Sequence, residues 1–175
     1  SIRVTKNADL KATIASVMAQ TIRPGSSVFI DDSTSALWVL RELDVVPITV
    51  VTNSMLVARE VERRTGVRLF ICGGEYQPWA ESLLGQTTVD VIAGMRADYC
   101  LISASGVSGL QCFHPYEDCV QVKRAMMASA AKSILLIDSA TYPVSISYKQ
   151  IIIIVSTVVL LAAFWFIVQK TSLGR

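Results

Sequence analysis

The sequence predicts an α/β domain built on a mostly parallel sheet, with helices covering both faces. Three observations predict it. Short, continuously apolar runs of strand length recur along the chain; polar loops follow them; and stretches of helical periodicity separate most runs from the next. Strands that are apolar throughout, rather than alternating, are those buried on both faces, which is the pattern of a parallel sheet between helical layers. The length of 175 residues suits one domain with a sizeable core, and 52% hydrophobic against 17% charged residues excludes disorder.

Taken in order, the region from Lys6 to Ile22 sets Leu10, Ile14, Val17 or Met18, and Ile22 on one helical face, and Pro24-Gly25 then turns the chain. A first strand follows at Ser27 to Ile30, then the polar Asp31-Asp32-Ser33-Thr34-Ser35 and a helix from about Ala36 to Leu43. Beyond Pro47 the run ITVVT is a second strand, with a helix of about Ser54 to Arg64 closed by Gly66. VRLFIC is a third strand ending at Gly73-Gly74. After a loop, Gln86 to Met95 reads as a helix, YCLIS as a fourth strand, Glu117 to Ala131 as a helix and SILLID as a fifth strand.

In open sheets of this kind ligands sit beyond the carboxyl ends of the strands, so the loops after each strand are the places to look. The Asp31 to Ser35 loop leads straight into a helix, where backbone N–H groups and hydroxyls make an anion site; plain N-capping is the alternative for the same residues. Thr52-Asn53-Ser54 again opens a helix, Cys72-Gly73-Gly74-Glu75 lets backbone approach a ligand, and Ser103-Ala104-Ser105-Gly106 and Asp138-Ser139 follow the last two strands. Each could be a turn and nothing more; together they converge on one edge of one sheet. Lys123 could reach a phosphate, although its spacing beside Arg124 favours a solvated helix residue. Glu117 and Asp118 could accept from sugar hydroxyls or could simply sit in a first helical turn. His114, the one histidine, reads as a loop residue before Pro115, idle or acting in acid–base chemistry.

Several classes of function lose support. A net charge of +2 is too small to recruit nucleic acid or anionic membrane by bulk electrostatics. No Gly-rich loop ending in GK[ST] is present, no GxGxxG follows the first strand, and one histidine is too few for a usual zinc site. No cofactor and no metal is therefore expected. Cys72, Cys100, Cys112 and Cys119 show no CxxC spacing, and three lie in or beside strand-like runs, which suggests buried thiols in a reducing cytoplasm over a disulfide or metal site. The N-terminus has no apolar stretch of secretory type and no initiator Met, so a piece of a longer cytoplasmic protein is expected.

The motifs KATIASVMAQTIRPGSSVFID, DDSTS, TVVTNS, LFICGGE, SLLG and VKRAMMASAAKSILLIDSATY, in that order from about Lys6 to Tyr142, resemble the C-terminal ligand-sensing domain of DeoR-type bacterial transcription regulators. The resemblance implies a Rossmann-like sheet of the kind shared with sugar-phosphate isomerases and glucosamine-phosphate deaminase. It implies binding of a phosphorylated sugar or related metabolite without catalysis, control of operator DNA through a helix-turn-helix outside this chain, usually repression, and assembly as a homo-oligomer. By position, Asp31, Asp32, Ser33, Thr34 and Ser35 would form the phosphate loop, and Thr52, Asn53, Gly73, Gly74 and Lys123 would line the rest. Gly85, Glu117 and Asp138 complete the candidate set. Ser33 stands where the family loop carries glycine, Cys119 where it carries an acidic residue, and Ala140-Thr141 replace a Ser-Lys pair. An isomerase- or deaminase-like enzyme of the same fold is the alternative function.

The division expected is a sensing domain over 1–148 and a hydrophobic segment over 149–175. Within the latter, Ile151 to Val168 has only Ser156 and Thr157 as polar residues and is flanked by Lys149 and Lys170. Such a run fits a membrane anchor, or a buried strand followed by a buried helix.

Overall fold

The computed structural model describes residues 2–108, 111–137 and 151–154. In chain order the elements are α1 (Ile2–Thr5), α2 (Ala8–Ala19), β1 (Ser27–Ile30), α3 (Thr34–Glu42), β2 (Ile48–Thr52), α4 (Met55–Val61), β3 (Val67–Ile71), β4 (Glu75–Gln77) and β5 (Ser82–Leu84). These are followed by α5 (Gln86–Ala93), β6 (Ala97–Ile102), β7 (Gly106–Ser108), β8 (Gln111–His114), α6 (Glu117–Ala128), β9 (Ala130–Leu135) and β10 (Ile151–Ile154). The five strands read from the sequence form one sheet in the order β3-β2-β1-β6-β9, and every pairing in it is parallel. The chain therefore winds outward from β1 to β3, returns to the centre, and continues from β6 to β9 on the other side. The switch falls between β1 and β6.

Alternation along the strands divides the core into two layers. Val28 and Ile30, Ile48 and Val50, Leu101 and Ile134 point to the layer filled by α2, α3 and α4. Phe29, Val51, Cys100, Ile102 and Leu135 point to the layer filled by α5 and α6. Both faces are thus covered at the centre of the sheet, which is why β1 and β2 read as mostly apolar, while the edge strand β3 is only partly buried. Side chains such as Phe29, Ile30, Leu101 and Ile102, each less than 2% exposed, contribute about 1.5–3 kcal/mol apiece by leaving water.

Departures from the sequence reading are local and physical. The helix read from Lys6 to Ile22 is α2, which ends at Ala19, so Ile22 is buried from the loop beyond it, and Leu10 faces solvent. The third helix begins at Thr34, because Ser33 caps it by accepting from the Ala36 N–H at 3.2 Å. The last central helix stops at Ala128, three residues early, and β9 starts at Ala130. Four short strands occupy what the sequence offered as loops. β4 and β5 form an antiparallel hairpin, and β7, β8 and β10 a second small sheet. Runs of three or four residues that are not continuously apolar, unlike β1, carry too little pattern to register as strands.

Of the expected hydrophobic segment, Ile151–Ile154 pairs antiparallel with β8, Ile151 opposite His114 and Ile154 opposite Gln111. The rest of 151–168, the proposed boundary at 148/149 and Asp138 lie outside the described residues. Among the described residues no helix is long and apolar enough to cross a membrane.

Gly74, the second of the paired glycines after β3, is placed by a close approach. Gly74 takes φ +131°, and a Cβ there would stand 2.0 Å from Thr88 Oγ1 and 2.7 Å from the Leu84 carbonyl. Thr88 is fully buried and donates from that same Oγ1 to the Gly73 carbonyl at 2.5 Å. Gly74→Ala is expected to destabilise the chain by roughly 2 kcal/mol or more, through backbone strain and loss of this hydrogen bond. Urea unfolding of the variant reads the change directly, and an unshifted midpoint would contradict the account.

Candidate functional site

β1 delivers its last residue, Ile30, to the carboxyl edge of the sheet at the switch point, and Asp31 follows. The Asp31 carboxylate is fully buried and saturated with donors. Oδ1 accepts from the Ser33 N–H at 2.9 Å, and Oδ2 accepts from the Ser103 N–H at 3.0 Å and from Lys123 Nζ. One side chain thus joins the β1 loop, the β6 loop and α6.

Lys123 corrects the reading of a solvated helix residue. It is 2% exposed, and besides Asp31 its ammonium donates to Asp32 Oδ1 at 3.2 Å. Burial opposes its charge, but attraction by Asp31 and then Asp32, with their hydrogen bonds, outweighs burial and raises its pKa above the ordinary lysine value. A raised pKa means that the contribution of this ion pair is complete below about pH 10.5 and is lost only as pH climbs through the native value.

Above this cluster lies a cleft of about 170 Å³ lined by Asp32, Ser33, Thr34, Ser35, Ser103, Ala104, Ser105, His114 and Lys123. Its floor is the start of α3. Ser33 has φ −77° and ψ 143°, ordinary extended backbone, so the side chain in the family's glycine position costs nothing and supplies the cap. The orphan N–H groups of α3 can be followed one by one. That of Ser33 goes to Asp31 and that of Ala36 to Ser33 Oγ, while Leu37 N–H reaches the Ser33 carbonyl at 3.2 Å. The N–H groups and hydroxyls of Thr34 and Ser35 meet no acceptor among the described residues, and both residues line the cleft.

The loops after β2 and β3 lie at the same edge but are occupied. Thr52 Oγ1 donates to the Ile30 carbonyl at 2.6 Å and accepts from the Ser54 N–H at 3.0 Å. Asn53 is clamped to the hairpin, its Nδ2 donating to the Leu83 carbonyl and its own carbonyl accepting from Leu83 N–H. Gly73 is held by Thr88, Gly74 is packed on it, and Gly85 at φ +95° opens α5. Glu117 is exposed in the first turn of α6. None of Thr52, Asn53, Gly73, Gly74, Gly85 and Glu117 lines the cleft; Asp32, Ser33, Thr34, Ser35 and Lys123 do, and Asp31 lies beneath.

Ser103, Ala104, Ser105 and His114 complete the lining, and sequence reasoning had not gathered them into the candidate set. The first three were visible as a loop after a strand. His114 was not, because β8 brings it to the cleft through an antiparallel pairing no pattern announced. Its Nδ1 accepts from the Tyr116 N–H at 3.3 Å, so in the neutral ring Nε2 carries the proton. Burial, then the charge of Lys123, lowers its pKa below the usual histidine value against the opposing pull of Asp32 and Asp31. The four cysteines are free and buried; burial pushes Cys72 and Cys112 up to about 11 and Cys119 up to about 12, so these three stay thiols at neutral pH.

An open parallel sheet, its switch point occupied by a hydroxyl-rich helix N-terminus over a buried Asp–Lys pair, defines a Rossmann-like domain with a polar cleft. The chain belongs to the family of DeoR C-terminal sensor domains, whose model matches residues 6–151. It is 29% identical over 133 residues to the uncharacterized HTH-type transcriptional regulator YgbI of Escherichia coli, covering 75% of this chain and 52% of that protein. It is 28% identical over 135 residues to the glycerol-3-phosphate regulon repressor of E. coli, covering 75% of this chain and 53% of that protein. The chain thus spans about half the length of the curated relatives it matches. Ribose 5-phosphate isomerase A from Methanocaldococcus jannaschii shares the fold, with a TM-score of 0.55 over 77% of this chain and 54% of that one, at 15% identity.

Two outcomes test this site. Lys123→Met leaves two buried carboxylates without their cation and is expected to cost about 3–5 kcal/mol in denaturant unfolding; a loss below 1 kcal/mol would remove Lys123 from its central role. For His114, the native state resists the proton that the unfolded chain takes up near pH 6.5. Stability is therefore expected to fall as pH drops below that value, and the fall should be shallower in His114→Gln when unfolding midpoints are compared across pH.

Proposed function

We propose that this chain is the effector-binding half of a transcription regulator, and that a phosphorylated sugar or related metabolite binds with its phosphate on the first turn of α3. The observation that carries the reading is the set of donors, two N–H groups and two hydroxyls of Thr34 and Ser35, that meet no acceptor among the described residues and belong to residues lining the cleft. A dianion at a helix N-terminus takes such donors and gains from the helix dipole. Asp31 and Asp32 both take up the Lys123 ammonium, so the attraction comes from α3 while the ion pair fixes the loop's shape. The Asp32 carboxylate, at the cleft wall, suits ligand hydroxyls. The name of the glycerol-3-phosphate regulon repressor places a phosphorylated small molecule in that relative's biology, in keeping with the chemistry of the cleft.

In this reading the ligand is bound without turnover, in the cytoplasm, by a self-associated regulator. The bound state biases a helix-turn-helix domain carried on the half of the protein that the relatives add. Thr34→Val combined with Ser35→Ala removes two hydroxyls but keeps the backbone. Calorimetric titration with a panel of phosphorylated sugars is expected to show affinity falling by at least about tenfold in that double variant, as the loss of two charge-assisted hydrogen bonds requires. Wild-type protein that is folded yet gives no heat with any member of the panel would refute the proposal.

A further inference from the structure

The His114 side of the cleft continues into aromatic surface that the phosphate site does not use. The Tyr116 ring lies 5.9 Å from the His114 ring, and the Trp79 ring lies 4.2 Å from Tyr116, tilted by 45°. Tyr116 belongs to the turn between β8 and α6, and Trp79 to the β4–β5 hairpin, so two separate segments bring this row together. Both rings remain about half exposed, at 50% and 49%. A pair that served only to fill the core would have its faces covered; these two cover each other in part and leave the remainder to solvent.

We propose that His114, Tyr116 and Trp79 form the wall that selects the non-phosphate end of the effector. The ligand this wall takes offers a ring face of C–H groups next to hydroxyls: a cyclic sugar carrying a phosphate, in preference to an acyclic polyol phosphate. The proposal rests on the phosphate reading above and goes beyond it in naming the class of ligand.

The chemistry follows from the geometry. Aromatic faces carry partial negative charge, and the C–H groups of a sugar ring, made electropositive by their oxygens, pack on them. His114 stands at the junction, in the cleft on one side and beside Tyr116 on the other. Because its Nδ1 already accepts from Tyr116 N–H, the proton on Nε2 is the one left to donate to a ligand hydroxyl or ring oxygen. The same hydrogen bond ties the ring orientation of His114 to the backbone that carries Tyr116. The occupant is set by continuity: His114 lines the cleft that holds the phosphate loop, and the Tyr116 and Trp79 rings follow it at centroid steps of 5.9 and 4.2 Å.

The test uses the whole 175-residue chain. Calorimetric titration compares glucose 6-phosphate, fructose 6-phosphate and ribose 5-phosphate with glycerol 3-phosphate, 3-phosphoglycerate and inorganic phosphate. At least one cyclic ligand is expected to bind about tenfold or more tightly than both acyclic ones. Trp79→Ala and Tyr116→Ala should each weaken that ligand by roughly 3–10-fold, the worth of one aromatic contact, while inorganic phosphate changes by less than about twofold. Tyr116→Phe should restore the preference. Circular dichroism confirms that the variants fold, as half-exposed positions permit. If inorganic phosphate binds and no cyclic ligand is preferred, or if the variants weaken all probes alike, the selective wall is wrong and the phosphate reading stands. If the variants change sedimentation and leave the ligand ratio untouched, a second copy covers the aromatic row and the proposal fails. If none of the six probes binds, both readings fall together.

Discussion

The carboxylate of Asp31 is the constraint around which the carboxyl edge of the sheet is built. Three donors could not be brought to one point by the loops alone; a buried charge compels them. Left unpaired, a carboxylate at that depth would cost several kcal/mol, so Ser33 N–H, Ser103 N–H and Lys123 must all be in place. The first fixes the turn into α3, the second joins β1 to β6 across the switch point, and the third anchors α6 against both. The shape of the cleft is therefore inherited from an ion pair that lies largely beneath it.

That arrangement separates two tasks which the residue types alone would merge. Lysine and aspartate near a phosphate-type loop invite a reading in which lysine meets the anion. Here the ammonium is consumed by two carboxylates, and the donors that remain on the first turn of α3 belong to Thr34 and Ser35. An anion would be received by backbone and hydroxyls with no flexible cation to rearrange, which favours geometry over charge as the source of selectivity. The loops after β2 and β3 act differently again. Their polar groups are tied to the β4–β5 hairpin and to Thr88, so they brace the edge of the sheet and carry Trp79 toward Tyr116.

How much of this could be read beforehand differs by element. The five central strands and the helices between them were legible because burial on both faces writes itself as uninterrupted Val, Ile, Leu and Phe, and because Ser33 and Ser54 announce helix starts. Boundaries were less legible: Ser33 itself extended α3 by two residues into the loop, and α6 ended early where β9 began. The hairpin β4–β5 and the strands β7 and β8 left no trace, since three or four residues on partly exposed surface show no period. For the same reason the aromatic row stayed hidden. Trp79 and Tyr116 are 37 positions apart in the chain and meet only because two such unmarked segments fold against one sheet edge.

What the sequence by itself determined is the layered α/β architecture, its family and the loop most suited to an anion, for these depend on short-range patterns of burial, capping and hydroxyl placement. Only the tertiary structure decided that Lys123 is buried and spent on Asp31 and Asp32, that Thr52, Asn53 and the paired glycines brace the fold without lining the cleft, and that His114 faces it. Those outcomes turn on which groups become neighbours when water is expelled, and a buried charge or donor chooses its partner by proximity in space, which spacing along the chain does not encode.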